Sequence, residues 1–134
     1  MVFVMDTNTL VSGILNPQGI PAQAMFAAQV AGCLYFSDET KQEFISVIQR
    51  PKFNKYASLP DRLEKANKIL STAKFAFVET KRDIECRDVT DIKFLELAVE
   101  ASADCLISGE PDLLTLHPFR GIPIINAATF LSSF

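Results

Sequence analysis

Tryptophan is absent from the 134 residues, histidine occurs once, and glycine is confined to five positions. So few glycines, with 7 prolines and no repeat, exclude collagen-like and low-complexity classes. Three cysteines, Cys33, Cys86 and Cys105, are an odd number, and their spacings match neither a zinc ribbon nor a redox CxxC motif. They read as free thiols of a reducing compartment, so a cytoplasmic protein is expected. With His117 the single histidine, no His/Cys metal cluster is available. Long hydrophobic runs are missing too: the apolar stretch from Ala22 to Phe36 is interrupted by Gln23 and Gln29 and is too short to span a bilayer. No basic segment precedes Met1 to Met5, and Asp6 follows at once, unlike a signal peptide. Finally, positive charge is not in excess. Thirteen Lys+Arg stand against 16 Asp+Glu, a net charge of -3, which excludes a non-specific DNA coat but not a nucleic-acid enzyme with a local basic rim.

What is present suits an ordinary globular core. Hydrophobic residues make up 49% of the chain and include 11 Phe. Residues 1–134 are expected to form a single domain burying roughly two thirds of its unfolded surface. Val2-Phe3-Val4-Met5 is wholly apolar and predicts a parallel strand covered on both faces. Leu34 to Phe36, Phe75 to Val78, Cys105 to Ile107 and Ile122 to Ile125 predict four more strands. Between them, helices are predicted over Thr9 to Leu15, over Ala22 to Ala31 behind Pro21, and from a Ser37 or Asp38 cap to about Gln49. Leu59-Pro60-Asp61 opens another, Arg62 to about Thr72, and Thr90-Asp91 opens one through Ser102. This alternation predicts an α/β fold, a three-layer α/β/α sandwich with a central, mainly parallel sheet of about five strands.

In such sheets chemistry collects at the carboxyl ends of the strands. Asp6 follows the first strand directly, where it is a helix N-cap or a site residue. Glu43 either completes a capping box in Thr40-Lys41-Gln42-Glu43 or turns toward the sheet edge on the stripe it shares with Val47 and Arg50. Asp91 and Asp88 sit where acids complement a helix start. Glu110 and Asp112 follow the fourth strand and could cap a short Pro111 to Leu116 segment. Each acid has a structural explanation by itself. Together they converge on one edge, where four or five carboxylates would resist joint ionisation. A hard divalent cation resolves that conflict, because Mg²⁺ and Mn²⁺ take oxygen ligands.

The ordered motifs resemble the PIN domain family, in particular its short prokaryotic members read as toxins of toxin–antitoxin pairs. The similarity runs through Val4-Met5-Asp6-Thr7-Asn8-Thr9, Ser37 through Glu43 and Arg50-Pro51-Lys52-Phe53. It continues through Arg87-Asp88-Val89-Thr90-Asp91 and Ser108-Gly109-Glu110-Pro111-Asp112. The resemblance implies a metal-dependent endoribonuclease with Mg²⁺ or Mn²⁺ as cofactor. It places Asp6, Glu43 and Asp91 as the first three acids. The fourth is Glu110, where the family usually has Asp, or Asp112. Asn8, Asp88 and Ser108 become supporting residues that orient ligands or water.

On that basis Glu43 either ligates the metal or positions the attacking water, and Lys41, Arg50, Lys52, Lys55, Arg87 and Lys93 are candidate phosphate contacts. Phe53 and Tyr56 are candidate stacking or packing residues. RNA is the expected substrate, an antitoxin the expected partner by family analogy, and a homodimer through Phe-rich helices is expected. Two other readings compete. One is a degenerate module that binds RNA or protein without cutting. The other is an aspartyl phosphatase with Asp6 as nucleophile, in which Asn8 stands where a general acid is needed.

Overall fold

The computed structural model describes residues 1–79 and 84–134. The apolar run at the N-terminus forms β1 (Val2–Met5). Asp6 then caps α1 (Thr7–Leu15), and Pro21 in the first turn opens α2 (Ile20–Ala31). β2 (Cys33–Phe36) leads into α3 (Asp38–Ile48), whose C-terminus passes into a single 3₁₀ turn at Pro51–Phe53. α4 (Leu59–Thr72) begins at the expected Leu59-Pro60-Asp61 opening, where Ser58 caps it and Pro60 fits its first turn. β3 (Lys74–Phe75) follows.

A second 3₁₀ turn, Val89–Asp91, precedes α5 (Ile92–Glu100), so the helix expected from Thr90 starts as two segments. β4 (Cys105–Ile107), α6 (Pro111–Leu114) and β5 (Ile124–Ile125) complete the alternation. A last helix, α7 (Ala127–Ser133), was not expected; its signal is Asn126, whose side chain accepts the Thr129 N–H at 2.8 Å.

Two strands are shorter than their apolar runs. Ala76 still donates to the Phe36 carbonyl at 2.9 Å, after which the chain leaves the sheet. At β5, Pro123 has no N–H to give the ladder and contributes only its carbonyl, to Leu106 at 2.9 Å.

The five strands are ordered β3-β2-β1-β4-β5, and every pairing is parallel. β1 is central, with Phe3 opposite Leu34 on one side and Cys105 on the other. Alternation along the strands then feeds two cores. Phe3, Met5, Leu34, Phe36, Cys105 and Ile107 pack with α1, α2, α3, α4 and α7. Val4, Leu106 and Ile124 pack with Phe94, Leu95 and Leu97 of α5 and Leu113 of α6. Burying each such side chain contributes roughly 1.5–3 kcal/mol. Phe3 and Phe130 meet edge to face at 5.2 Å, closing the layer under α7. The result is the three-layer α/β/α architecture with helices on both sheet faces.

The order has a functional consequence. β1 pairs with β2 on one side and with β4, two crossovers later, on the other. That is a topological switch point, where the loops after β1 and β4 splay apart and leave a crevice. No helix among the described residues is long and apolar enough to cross a membrane.

Candidate metal centre

The loop after β1 presents Asp6, and the loop after β4 presents Ser108 and Glu110, at that crevice. Asp6 and Glu110 line a cavity of about 160 Å³ together with Glu43 of α3, Arg50 just beyond that helix, and Asp88 and Asp91 from the turn before α5. Five acids of the sequence reading, counted from that lining, share one space.

Asp6 is only 2% exposed. One of its oxygens caps α1 by accepting the Thr9 N–H at 2.8 Å; the other accepts the Ser108 hydroxyl. The cap and the crevice position are therefore the same residue in two uses. Burial raises its pKa above the ordinary 3.8, against the opposing pull of the Ser108 and Thr9 hydrogen bonds. Ser108 is fully buried and its hydroxyl also accepts the Glu110 N–H at 3.0 Å, so one side chain ties the two loops together.

Glu43 does not serve as a cap. The capping box is made one turn earlier, by Ser37 and Thr40: the Thr40 N–H donates to the Ser37 hydroxyl at 3.2 Å and the Ser37 N–H to the Thr40 hydroxyl at 2.9 Å. Freed from the helix terminus, the Glu43 carboxylate accepts the Thr7 hydroxyl at 2.5 Å and pairs with the Lys93 ammonium at 2.7 Å. Lys93 also donates to the Thr90 carbonyl. Thr7 and Thr90 were not singled out from sequence; Thr7 lies inside Asp6-Thr7-Asn8, and nothing local marks its hydroxyl as a partner for a residue 36 positions away.

Asp91 is 8% exposed and makes no side-chain cap bond, so the helix-start explanation does not describe it. Its pKa is pushed up to about 6, first by burial and then by the charges of Asp88, Glu110 and Asp6. The capping role belongs to Asp88, exposed at the head of the 3₁₀ turn. Its carboxylate accepts the Thr90 hydroxyl at 2.7 Å and the Thr90 N–H at 3.0 Å, which hold it below the ordinary carboxylate range.

Glu110 and Asp112 part company. Glu110 sits at the N-cap position of α6 but makes no side-chain cap bond; it accepts the Asn8 amide at 2.7 Å instead, in the Asp6 cavity. Asp112 lines a neighbouring hollow with Cys86 and Arg87, whose guanidinium lies 3.9 Å away. Asp88, Asp91 and Asp112 each offer one oxygen within 4.8 Å of the others.

These donors are all oxygens, two of them, Asp6 and Asp91, are buried, and Asp91 bears burial and then repulsion in its raised pKa. The set fits a hard divalent cation, for which carboxylates are the natural ligands. Of the basic candidates, Arg50 lines the cavity and Lys93 faces Glu43. Lys41, Lys52 and Lys55 lie over the rings of Phe75, Phe53 and Tyr56 at 5.4, 5.1 and 5.2 Å.

Arg62 was missed as well. It is 0% exposed, yet its guanidinium reaches the Ile48 carbonyl at 2.8 Å, Ala57 carbonyl at 2.6 Å and Asn54 side chain at 3.0 Å, with the Arg50 carbonyl at 3.5 Å. It fastens the turn that carries Arg50 to the cavity.

Comparison with known proteins bears on the family and the fold. Residues 2–112 match the model of a family described as PIN domain. An uncharacterised protein of Methanocaldococcus jannaschii is 30% identical over 117 residues, covering 85% of this chain and 74% of that one. Among solved structures, VapBC2 from Rickettsia felis, bound to a DNA fragment from their promoter, superposes with a TM-score of 0.64 at 13% identity. It covers 94% of this chain and 98% of that one. VapC20 of Mycobacterium tuberculosis, a Sarcin-Ricin loop cleaving toxin, gives a TM-score of 0.51 at 10% identity, over 79% of this chain and 87% of that one.

Proposed function

The chain belongs to the PIN domain family, and from that premise we propose that it is a divalent-metal-dependent endoribonuclease. The observation that carries the proposal is the convergence of Asp6, Glu43, Asp91 and Glu110 on one crevice at the switch point between β1 and β4. Asp6, Asp91 and Glu110 would hold Mg²⁺ or Mn²⁺, with Asp88 and Asp112 each offering an oxygen within 4.8 Å of one on Asp91. Such an ion, when bound, acidifies water and neutralises charge on a phosphoryl oxygen.

The chain's own groups supply the rest. Ser108 and Thr9 fix the Asp6 carboxylate in one orientation. Asn8 does the same for Glu110. Thr7 and Lys93 hold Glu43 from two sides, which suits a carboxylate that positions a water for attack. Arg50 offers a phosphate contact at the rim. An aspartyl-phosphatase reading is poorer, because the Asn8 amide cannot supply a proton and is engaged with Glu110.

Structural likeness to VapBC2 supports a toxin of a toxin–antitoxin pair, with an antitoxin as partner. Likeness to VapC20 supports RNA as substrate. The test is cleavage of single-stranded RNA by purified protein with Mg²⁺ or Mn²⁺, beside Asp6→Ala and Asp91→Ala. Activity lost in both variants and restored to wild type after chelation by adding metal supports the reading. Equal trace activity in all three marks a contaminant and overturns it.

A further inference from the structure

A second cavity, of about 360 Å³, is lined by Lys93, whose ion-pair partner Glu43 lines the first. It opens between the head of α3 and the chain leaving β3, on the same carboxyl edge of the sheet. Its apolar side is two phenylalanine rings, Phe75 at 51% and Phe77 at 72% exposed. Two such rings on one cavity wall form an apolar patch beside a polar site, the kind of surface that marks a binding place. The Lys41 ammonium lies 5.4 Å from the centre of the Phe75 ring, and Asp38, Glu39 and Glu96 line the cavity with Lys93.

Resting on the nuclease reading above, we propose that this cavity is a nucleobase subsite, taking the base next to the phosphate held at the acidic crevice. The volume is in the range of small-ligand sites. Exposed aromatic rings interleaved with lysine are the elements of a single-strand platform, where bases stack on π-faces and cations meet the phosphates. The Asp38 carboxylate, an acceptor only, suits the amino and imino hydrogens of a base edge and repels phosphate. It thereby leaves the sugar–phosphate chain to the Lys41 and Lys93 side. The Glu43–Lys93 pair is the wall between the two cavities, so a strand crossing it sets one phosphate in the crevice and one base on the rings.

The absence of tryptophan makes the test direct. The full chain carrying Phe77→Trp and Asp91→Asn has one indole, at an exposed position that tolerates a larger ring, and cannot consume the RNA. Its emission is followed against a short single-stranded oligoribonucleotide, against inorganic polyphosphate, and against protein concentration alone. Saturable quenching by the RNA and none by polyphosphate is expected. Phe77→Ala should weaken oligoribonucleotide binding roughly tenfold, with Phe77→Tyr keeping it. Unchanged emission at every RNA concentration overturns the subsite. So does equal quenching by polyphosphate, or a change that follows protein concentration without RNA, which would show that a second copy covers the rings. RNA cleavage by the wild type is scored separately: cleavage without quenching removes the subsite and keeps the nuclease, and its converse does the reverse.

Discussion

Lys93 holds Glu43: the ammonium of one lies 2.7 Å from the carboxylate of the other, and the pair bridges α5 to α3. Neither residue is fixed by its own helix alone. Glu43 is available because Ser37 and Thr40 already close the N-terminus of α3. Lys93 is aimed by its bond to the Thr90 carbonyl.

The pair therefore acts on geometry more than on stability. Lys93→Met is expected to lower kcat for RNA cleavage by about 10- to 100-fold, the usual cost of misplacing a reacting group by about 1 Å. Its effect on unfolding in urea should stay within about 1 kcal/mol, because Lys93 and Glu43 both retain access to solvent. A loss of stability well above that, with kcat unchanged, would assign the pair to the fold instead.

Asp91 makes the metal-free protein sensitive to pH. Its carboxyl is raised from 3.8 to about 6 in the folded chain, so the fold prefers it protonated. The resulting stabilisation is complete below about pH 4 and is lost as pH rises through about 6. Asp6, raised in the same direction, adds to the slope. With chelator present, thermal unfolding should fall from pH 4 to pH 7, beyond the trend of other groups. Asp91→Asn should flatten that fall and raise Tm at pH 7, while Mg²⁺ or Mn²⁺ stabilises the wild type and not the variant. Identical Tm profiles for the two proteins would contradict the assignment.

Arg62 carries its charge with no exposure, held by backbone carbonyls and the Asn54 side-chain oxygen. Arg62→Ala leaves those acceptors unpaired and a void beside them, and should cost about 3–5 kcal/mol in urea unfolding. Arg62→Lys should recover only part, since one ammonium cannot replace a planar fork serving several directions. Full stability in Arg62→Lys would show that charge, not geometry, is what the site uses.

Much of this was legible in the sequence because it is local. The run Val2-Phe3-Val4-Met5 shows a strand buried on both faces, and Pro21, Pro51 and Pro111 mark where helices begin or cannot continue. Ser37 announces a cap. The acids after β1 and β4 were visible as carboxylates abutting apolar runs. Other features were misjudged because two local patterns competed. Thr40-Lys41-Gln42-Glu43 fits a capping box as written, yet Ser37 stands three residues before Thr40 and takes the cap first. Thr90-Asp91 looks like the start of one helix, but Asp88 captures the Thr90 N–H and winds a tighter turn.

By itself, the sequence determined the elements and their acids, since strand pleat, helix period and capping depend on neighbours a few residues apart. Tertiary structure decided which acids meet. Asp6 and Ser108 are 102 positions apart, as are Asn8 and Glu110, and they touch only because β4 docks beside β1. The same docking sets Glu110 in the Asp6 cavity, while Asp112 lines the neighbouring hollow. Burial of Arg62 is likewise a long-range outcome: its acceptors gather around it only when α3 and α4 pack, and until then a charged side chain has every reason to stay in water.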